Sequence, residues 1–283
     1  MNNYNLRWSS VFIYPTMNEE ETDIGHVSEL LDQLILIFFT ITDDGDAELR
    51  RTSFFIRYSD ERGIHIRYRA RCETPRFLMT QLIDTAIARG FALTVNNDVI
   101  SLGSACNLTT GFLEPEFQRY GGVEFSIPTF KLFHLSSVFA YETIARSFSN
   151  RNGESLLIRC SIFVSVLIFY SKLGLLPNIR YDLSSSSMSG SDKSPHASEV
   201  PEMTELEIGL SAVNGLFDPD EYIIQSPSFS QFTSQLTAVG RAINVPAMYE
   251  TFLYSHLHML ANRLGIPVTL EQRLYMIPKM RKS

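Results

Sequence analysis

Apolar positions recur along this chain at two different spacings, and the change from one to the other divides it into halves. Near the start, Trp8 to Tyr14 alternates as a strand does, whereas Val27 to Phe39 places its apolar residues three and four apart and predicts a helix. Phe54 to Tyr58 and Ile64 to Arg69 are aromatic and β-branched runs separated by the polar segment 59–63, so they predict a hairpin with a five-residue loop ending in Gly63. From Pro75 the residues Phe77, Leu78, Leu82, Ile83, Ala86 and Ile87 form one helical stripe that Gly90 stops, and Phe91 to Val95 returns to strand spacing. Beyond residue 126 the pattern is helical, over about 128–148, 154–173, 228–243 and 247–264, with a short C-terminal helix. The expected fold is therefore α+β: a mixed, largely antiparallel sheet with a long hairpin, packed against a helical C-terminal half. We read one domain over 1–283, sheet-rich over 1–126 and helical over 127–283.

One stretch breaks the pattern. Leu183 to Pro201, LSSSSMSGSDKSPHASEVP, holds too few apolar groups to fold by itself and is expected to be a flexible insertion, with His196 inert within it. The strongly apolar run Leu156 to Leu176 is interrupted by Arg159 and Lys172, so a buried helix is expected there and no membrane span.

Charge alters the picture locally. The 283 residues carry a formal net charge of −7, which argues against a general nucleic-acid surface. Within the hairpin, however, pairing Tyr58 with Ile64 puts Arg57 opposite His65 and gathers Arg57, His65, Arg67 and Arg69 on one face, leaving Phe54, Ile56, Tyr58, Ile64, Ile66 and Tyr68 on the other. Like charges side by side repel, so an anion is expected near them. That anion is either the chain's own carboxylates, a ligand or bulk counterions, and a guanidinium favours carboxylate or phosphate. Three widely spaced cysteines, Cys72, Cys106 and Cys160, suggest a reducing compartment rather than a disulfide framework or a zinc site. The N-terminal MNNYNLRWSS lacks the pattern of an export signal, so a cytoplasmic location is expected.

Two further segments carry chemistry. Phe112 to Gly122, FLEPEFQRYGG, joins Glu114 and Glu116 to Arg119, Tyr120 and a Gly-Gly turn; Glu116 and Arg119 are spaced for an ion pair that braces the loop. On the helix over 247–264, Ser255, His258, Met259 and Asn262 share a face, and Asn262 stands one turn from His258, where it can fix the imidazole tautomer. His256 points elsewhere, nearer Arg263, and two histidines at that spacing on a helix do not chelate one metal, so no metal is expected.

Taken in order, FFIRYSD with HIRYR, then EPEFQRYGG, then SHLHMLANRLG, the chain resembles the small domain of class I lantibiotic dehydratases and the stand-alone thiopeptide-type bacteriocin biosynthesis proteins, from Trp8 to about Arg273. In that family the large domain transfers glutamate from glutamyl-tRNA to Ser or Thr of a precursor peptide, and the small domain eliminates it. The resemblance implies a lyase without cofactor that leaves dehydroalanine or dehydrobutyrine, acting on a modified precursor peptide beside a separate glutamylating dehydratase partner. It implies His258 for proton transfer, with Arg67 and Arg119 as catalytic cations. Arg57, His65, Arg69, Glu116, Tyr120 and Asn262 are implied as substrate-binding. Many family members carry an Asp-Ser pair in the helix after the RYGG loop; here Ser136 takes the place of the acid and Ser137 matches. The rival readings are an aza-[4+2] cycloaddition enzyme that has no glutamate to bind, and a non-catalytic module that only docks peptide.

Overall fold

The computed structural model describes residues 8–15, 28–37, 53–71, 75–88, 90, 92–96, 99–102, 106–111, 116–149, 155–176, 206, 208–212 and 218–280. The expected insertion over 183–201 and two of the cysteines lie outside the described residues or in segments whose side chains are not described. Strands β1 (Trp8–Pro15), β2 (Phe54–Asp60), β3 (Gly63–Arg71), β4 (Leu93–Asn96), β5 (Val99–Leu102) and β6 (Cys106–Gly111) form one six-stranded sheet in the order β2-β3-β1-β6-β5-β4. Every described pairing is antiparallel. β5 and β6 escaped the sequence reading, because Val99–Leu102 is only four residues long and Cys106–Gly111 is short and rich in Thr and Asn.

The helices are α1 (28–37), α2 (Pro75–Ala88), α3 (Ser126–Ser149), α4 (Ser155–Lys172), α5 (Pro219–Gln225), α6 (Pro227–Ala242), α7 (Pro246–Arg263), α8 (Val268–Leu274) and α9 (Ile277–Met280); α1 to α4, α6 and α7 fall close to their predicted places, α5 was not expected, and the one short C-terminal helix expected is two. Their starts follow from local chemistry. Asp218 caps α5 by accepting the Asp220 and Glu221 N–H groups, Ser226 caps α6 by accepting that of Phe229, and α5, α6 and α7 each open on proline. The apolar α4 is long enough to cross a bilayer, with a mean hydropathy of 1.6, yet most of it is packed inside the protein.

The central strand β1 has two different faces. Val11 and Ile13 are fully buried and join Phe55, Ile66, Tyr68 and Leu108 against Leu31, Leu34 and Ile35 of α1 and Leu82 and Ala86 of α2. This core runs on through α3, α4, α6 and α7. The opposite face carries a separate, smaller cluster in which Phe54, Tyr120, Phe133 and Met259 pack with Trp8, Ile56 and Phe130. One face thus makes the core and the other faces the loop after β6 and the end of α7.

The hairpin register differs from the expectation by one residue. Tyr58 pairs with His65, Ile56 with Arg67 and Phe54 with Arg69, and the strands run on through Ser59↔Ile64 and Asp60↔Gly63 to a two-residue turn, Glu61-Arg62. Ser59 and Asp60 look like loop residues but stay in the ladder. Asp60 is held there because one carboxylate oxygen accepts the Tyr14 hydroxyl at 3.0 Å and the other accepts the Arg62 N–H at 2.9 Å. A slip of one position moves every side chain of one strand to the other face. Phe54, Ile56 and Tyr58 therefore lie beside His65, Arg67 and Arg69, and Arg57 goes to the opposite side.

Candidate active site

Four short segments build the site. The first is the open sheet face, where Phe12 of β1, Arg67 of β3 and Ile56 of β2 stand in register. The Arg67 guanidinium lies 3.5 Å from the centre of the Tyr58 ring and 4.9 Å from that of Phe12, a cation held between aromatic faces. Its Nε donates to His65 Nε2 at 3.0 Å. One pleat along, Arg69 is buried, 6.0 Å from the Phe54 ring, and close enough to Tyr120 and Arg263 to act on both electrostatically.

The second segment is the RYGG turn. Phe117–Tyr120 make a single 3-10 turn, after which Gly121 at φ 90 and Gly122 at φ 103 reverse the chain, and the Gly122 N–H returns to the Phe117 carbonyl at 2.9 Å. A side chain is excluded twice over at Gly121, since positive φ disfavours it and a Cβ there would press on the Phe125 ring at 3.0 Å. The turn holds Arg119 half-exposed, with its Nη1 on Glu116 Oε2 at 2.9 Å, and drives Tyr120 inward onto Phe133 and His256. Burial raises the Tyr120 hydroxyl pKa against the pull of Arg119 and Arg263.

The third and fourth segments meet at the C-terminal end. His258 Nδ1 lies 2.8 Å from Glu271 Oε2, bringing α8 to α7. Glu271 is 1 % exposed, and burial raises its pKa while the contact with His258 opposes the rise. Because Nδ1 is engaged by a buried carboxylate, Nε2 is the nitrogen left for other work. Tyr254 links this pair to the RYGG turn, its ring stacked on His258 with centroids 5.9 Å apart and its hydroxyl within electrostatic reach of Arg119. Met259, the next residue, packs with Phe54 and Tyr120 and so fixes α7 against the cationic face.

Several predicted site residues have other duties. Arg57, expected on the cationic face, points into the protein: its Nη2 pairs with Asp32 Oδ1, and its Nε donates to the Arg263 carbonyl at 3.3 Å. Arg159 of α4 meets Asp32 as well, at 3.1 Å, and donates to the Leu264 carbonyl at 3.0 Å. Asn262, expected to orient His258, instead grips the Arg57 backbone, accepting its N–H at 3.0 Å and donating to its carbonyl at 2.8 Å. In this way α7 closes the outer edge of β2, aided by Ser137 Oγ, which accepts the Phe55 N–H. His65, expected among the substrate-binding groups, is 0 % exposed and stands beneath Arg67. Ser136, at the position of the family's acid, turns its hydroxyl back to the Leu132 carbonyl at 2.8 Å. The partner of His258 is Glu271, which the sequence reading missed. Its signal was an acid between Leu270 and Leu274 on the buried side of a short helix. Among the described residues no three His, Cys, Asp or Glu side chains converge to ligate a metal ion.

The C-terminal helices thus hold an imidazole backed by a buried carboxylate, the RYGG turn a braced arginine one aromatic ring away, and the sheet a second group of cations. The chain belongs to the lantibiotic biosynthesis dehydratase C-terminal family, whose model matches residues 8–280. Among solved structures it is similar to the tRNA-dependent lantibiotic dehydratase MibB from Microbispora sp. 107891, at 20 % identity and a TM-score of 0.51, covering 95 % of this chain and 27 % of that one. It is also similar to TsrL, at 11 % identity and a TM-score of 0.57, covering 98 % and 94 % of the two chains. The pyridine synthase TbtD from thiomuracin biosynthesis matches at 12 % identity and a TM-score of 0.48, covering 96 % of each chain. No curated protein matches. The chain thus spans about a quarter of MibB and nearly the whole of TsrL, and at these identities the likeness is one of fold.

Proposed function

We propose that this protein removes glutamate from glutamylated Ser or Thr of a ribosomal precursor peptide, as a carbon–oxygen lyase working beside a separate glutamylating partner. The His258–Glu271 pair carries the reading, because an elimination needs a base that can reach a Cα proton and stay oriented while charged. His258 Nε2 takes the Cα proton; the electron pair left on Cα forms the Cα=Cβ bond as the Cβ–O bond of the glutamyl ester breaks, and glutamate departs as a carboxylate. The product is dehydroalanine from Ser or dehydrobutyrine from Thr. Glu271 then stabilises the imidazolium, as a buried carboxylate does when it already accepts from Nδ1.

Negative charge develops in two places, and the cations suit both. The enolate-like carbonyl oxygen forms next to the base, and Arg119, positioned by Glu116, is the guanidinium that Tyr254 links to His258. The departing glutamate carries two planar carboxylates, for which Arg67, mounted between Tyr58 and Phe12, is a bidentate match. A cycloaddition of two dehydroalanines has no such anion to hold, and a docking module has no use for an oriented imidazole.

The test is to incubate the protein with glutamylated precursor peptide and weigh the products. Loss of glutamate to a dehydrated peptide is the expected outcome. Ring formation with release of the leader would establish the cyclase instead, and unaltered peptide would leave only docking.

A further inference from the structure

We propose that His65 is a positioning residue that holds Arg67 ready for an anion, working as an uncharged imidazole whose Nε2 accepts the Arg67 Nε–H. Only the identity of that anion as glutamate rests on the function proposed above.

Two independent contacts select one tautomer. A guanidinium has hydrogens and no acceptor, so the 3.0 Å contact from Arg67 Nε requires a lone pair on His65 Nε2. The single ring proton must then sit on Nδ1, which lies 3.1 Å from the Gly63 carbonyl, an acceptor at the mouth of the hairpin turn. Gly63 reaches that place with φ 110, so the turn that sets the register also supplies the partner of the ring. The imidazole is fully buried between neighbours, tilted against Tyr14 at 4.4 Å between centroids and edge-on to Tyr58 at 5.6 Å.

Arg67 is thereby fixed on three sides. Tyr58 covers one face of the guanidinium and Phe12 approaches the other, while His65 takes its Nε–H. Phe12 packs on Gly111, where a Cβ would land in the ring. The Nη1 and Nη2 edge makes no ion pair among the described residues and has the fork geometry that grips a carboxylate. An arginine so held loses little rotamer freedom when an anion arrives.

The device fails when His65 gains a proton. Protonation removes the Nε2 lone pair and sets two cations 3.0 Å apart. The charged groups facing the ring are Arg67, Arg62 and Asp60. Asp60 Oδ1, at 3.9 Å from Nδ1, favours the proton, but its carboxylate is already shared with the Tyr14 hydroxyl and Arg62. Burial, with Arg67 and Arg62, outweighs it and keeps the imidazole neutral to lower pH than usual. Anion capture by Arg67 is expected to weaken on acidification below that point.

Long-range proton–nitrogen correlation spectra of the free protein test the tautomer without reference to any activity. The expected spectrum has the proton on Nδ1 near neutral pH, with a titration below the ordinary imidazole range that moves upward in Arg67→Gln. A proton on Nε2, or a titration indifferent to Arg67→Gln, overturns the proposal. In the elimination assay His65→Leu is expected to lower kcat/KM about ten- to hundredfold, as losing a hydrogen bond to a charged group does. His65→Gln, which accepts the same N–H without titrating, is expected to recover part of that loss. A His65→Gln protein that recovers none of it while keeping the parent's thermal midpoint overturns the proposal as well. A protein showing the predicted tautomer but releasing no glutamate in any form overturns the lyase reading and leaves His65 in its place.

Discussion

Arg57 and Arg67 stand on neighbouring strands of one hairpin, and the molecule treats them in opposite ways. Arg57 is enclosed with Asp32 and Arg159, and these groups also satisfy the carbonyls of Arg263 and Leu264 where α7 ends and would otherwise leave them orphaned. Arg67 is stacked and anchored at one nitrogen, with no carboxylate paired to it among the described residues. The first arrangement ties α1, β2, α4 and α7 together, and the second leaves half a guanidinium for something brought from outside. Residue type is the same in both, so the side of the sheet decides which arginine is tied into the protein and which keeps an open edge.

That contrast breaks most sharply under substitution of His258, the base proposed above. His258→Ala is expected to lower elimination by about two to four orders of magnitude, typical for a general base, while the thermal midpoint stays close to that of the parent. Asp32→Ala should do the reverse. Removing the acid strands two buried guanidinium groups, which costs about 3–5 kcal/mol, so a large fall in the urea midpoint is expected together with whatever activity the folded fraction keeps. Loss of activity without loss of stability in Asp32→Ala would show that the brace belongs to the site.

A subtler contrast lies along α7, where His256 and His258 are two residues apart. His256 is buried in a cage of Tyr120, Phe133 and Phe252, and burial, with Arg263 adding to it, lowers its pKa from 6.5 to about 3. Between those values the unfolded chain binds a proton that the folded one refuses, so stability falls as pH drops below 6.5, by about 2 kcal/mol at pH 5. Urea melts of the parent and of His256→Leu across this window should differ in slope, the variant being the flatter. Glu271→Gln sharpens the role of His258 instead: about ten- to hundredfold loss of activity is expected, without the steep pH dependence that His256 gives to folding. The smallest effect belongs to the exposed Glu116–Arg119 pair. Glu116→Ala should change stability by less than about 1 kcal/mol, and any larger loss it causes should appear in KM or kcat.

Most of the helices were legible beforehand because their apolar stripes are long: α3, α4, α6 and α7 begin and end within a few residues of the expectation. The hairpin's existence was legible and its register was not. Ser59 and Asp60 have the composition of a loop, and only the Tyr14 hydroxyl from another strand, with the tight turn, keeps them paired. From that one-residue error followed the misplacing of Arg57 and the idea of an all-cationic face. Spacing rules within a helix pointed from His258 to Asn262, and they are blind to Glu271, which arrives from the next helix after the turn at Gly265.

Taken alone, the sequence determined the long helices, the first strand and the existence of the hairpin, that cations crowd that hairpin, and that a histidine motif waits near the C-terminal end. Such properties are set by residues a few positions apart, whose periodicity and charge are visible in the chain itself. Tertiary structure decided which arginine is spent on Asp32 and which keeps an open edge, which residue backs His258, and which face of the sheet carries the core. These choices turn on contacts between residues far apart in sequence, such as Arg57 with Asn262, where packing and the satisfaction of buried polar groups outweigh local preference.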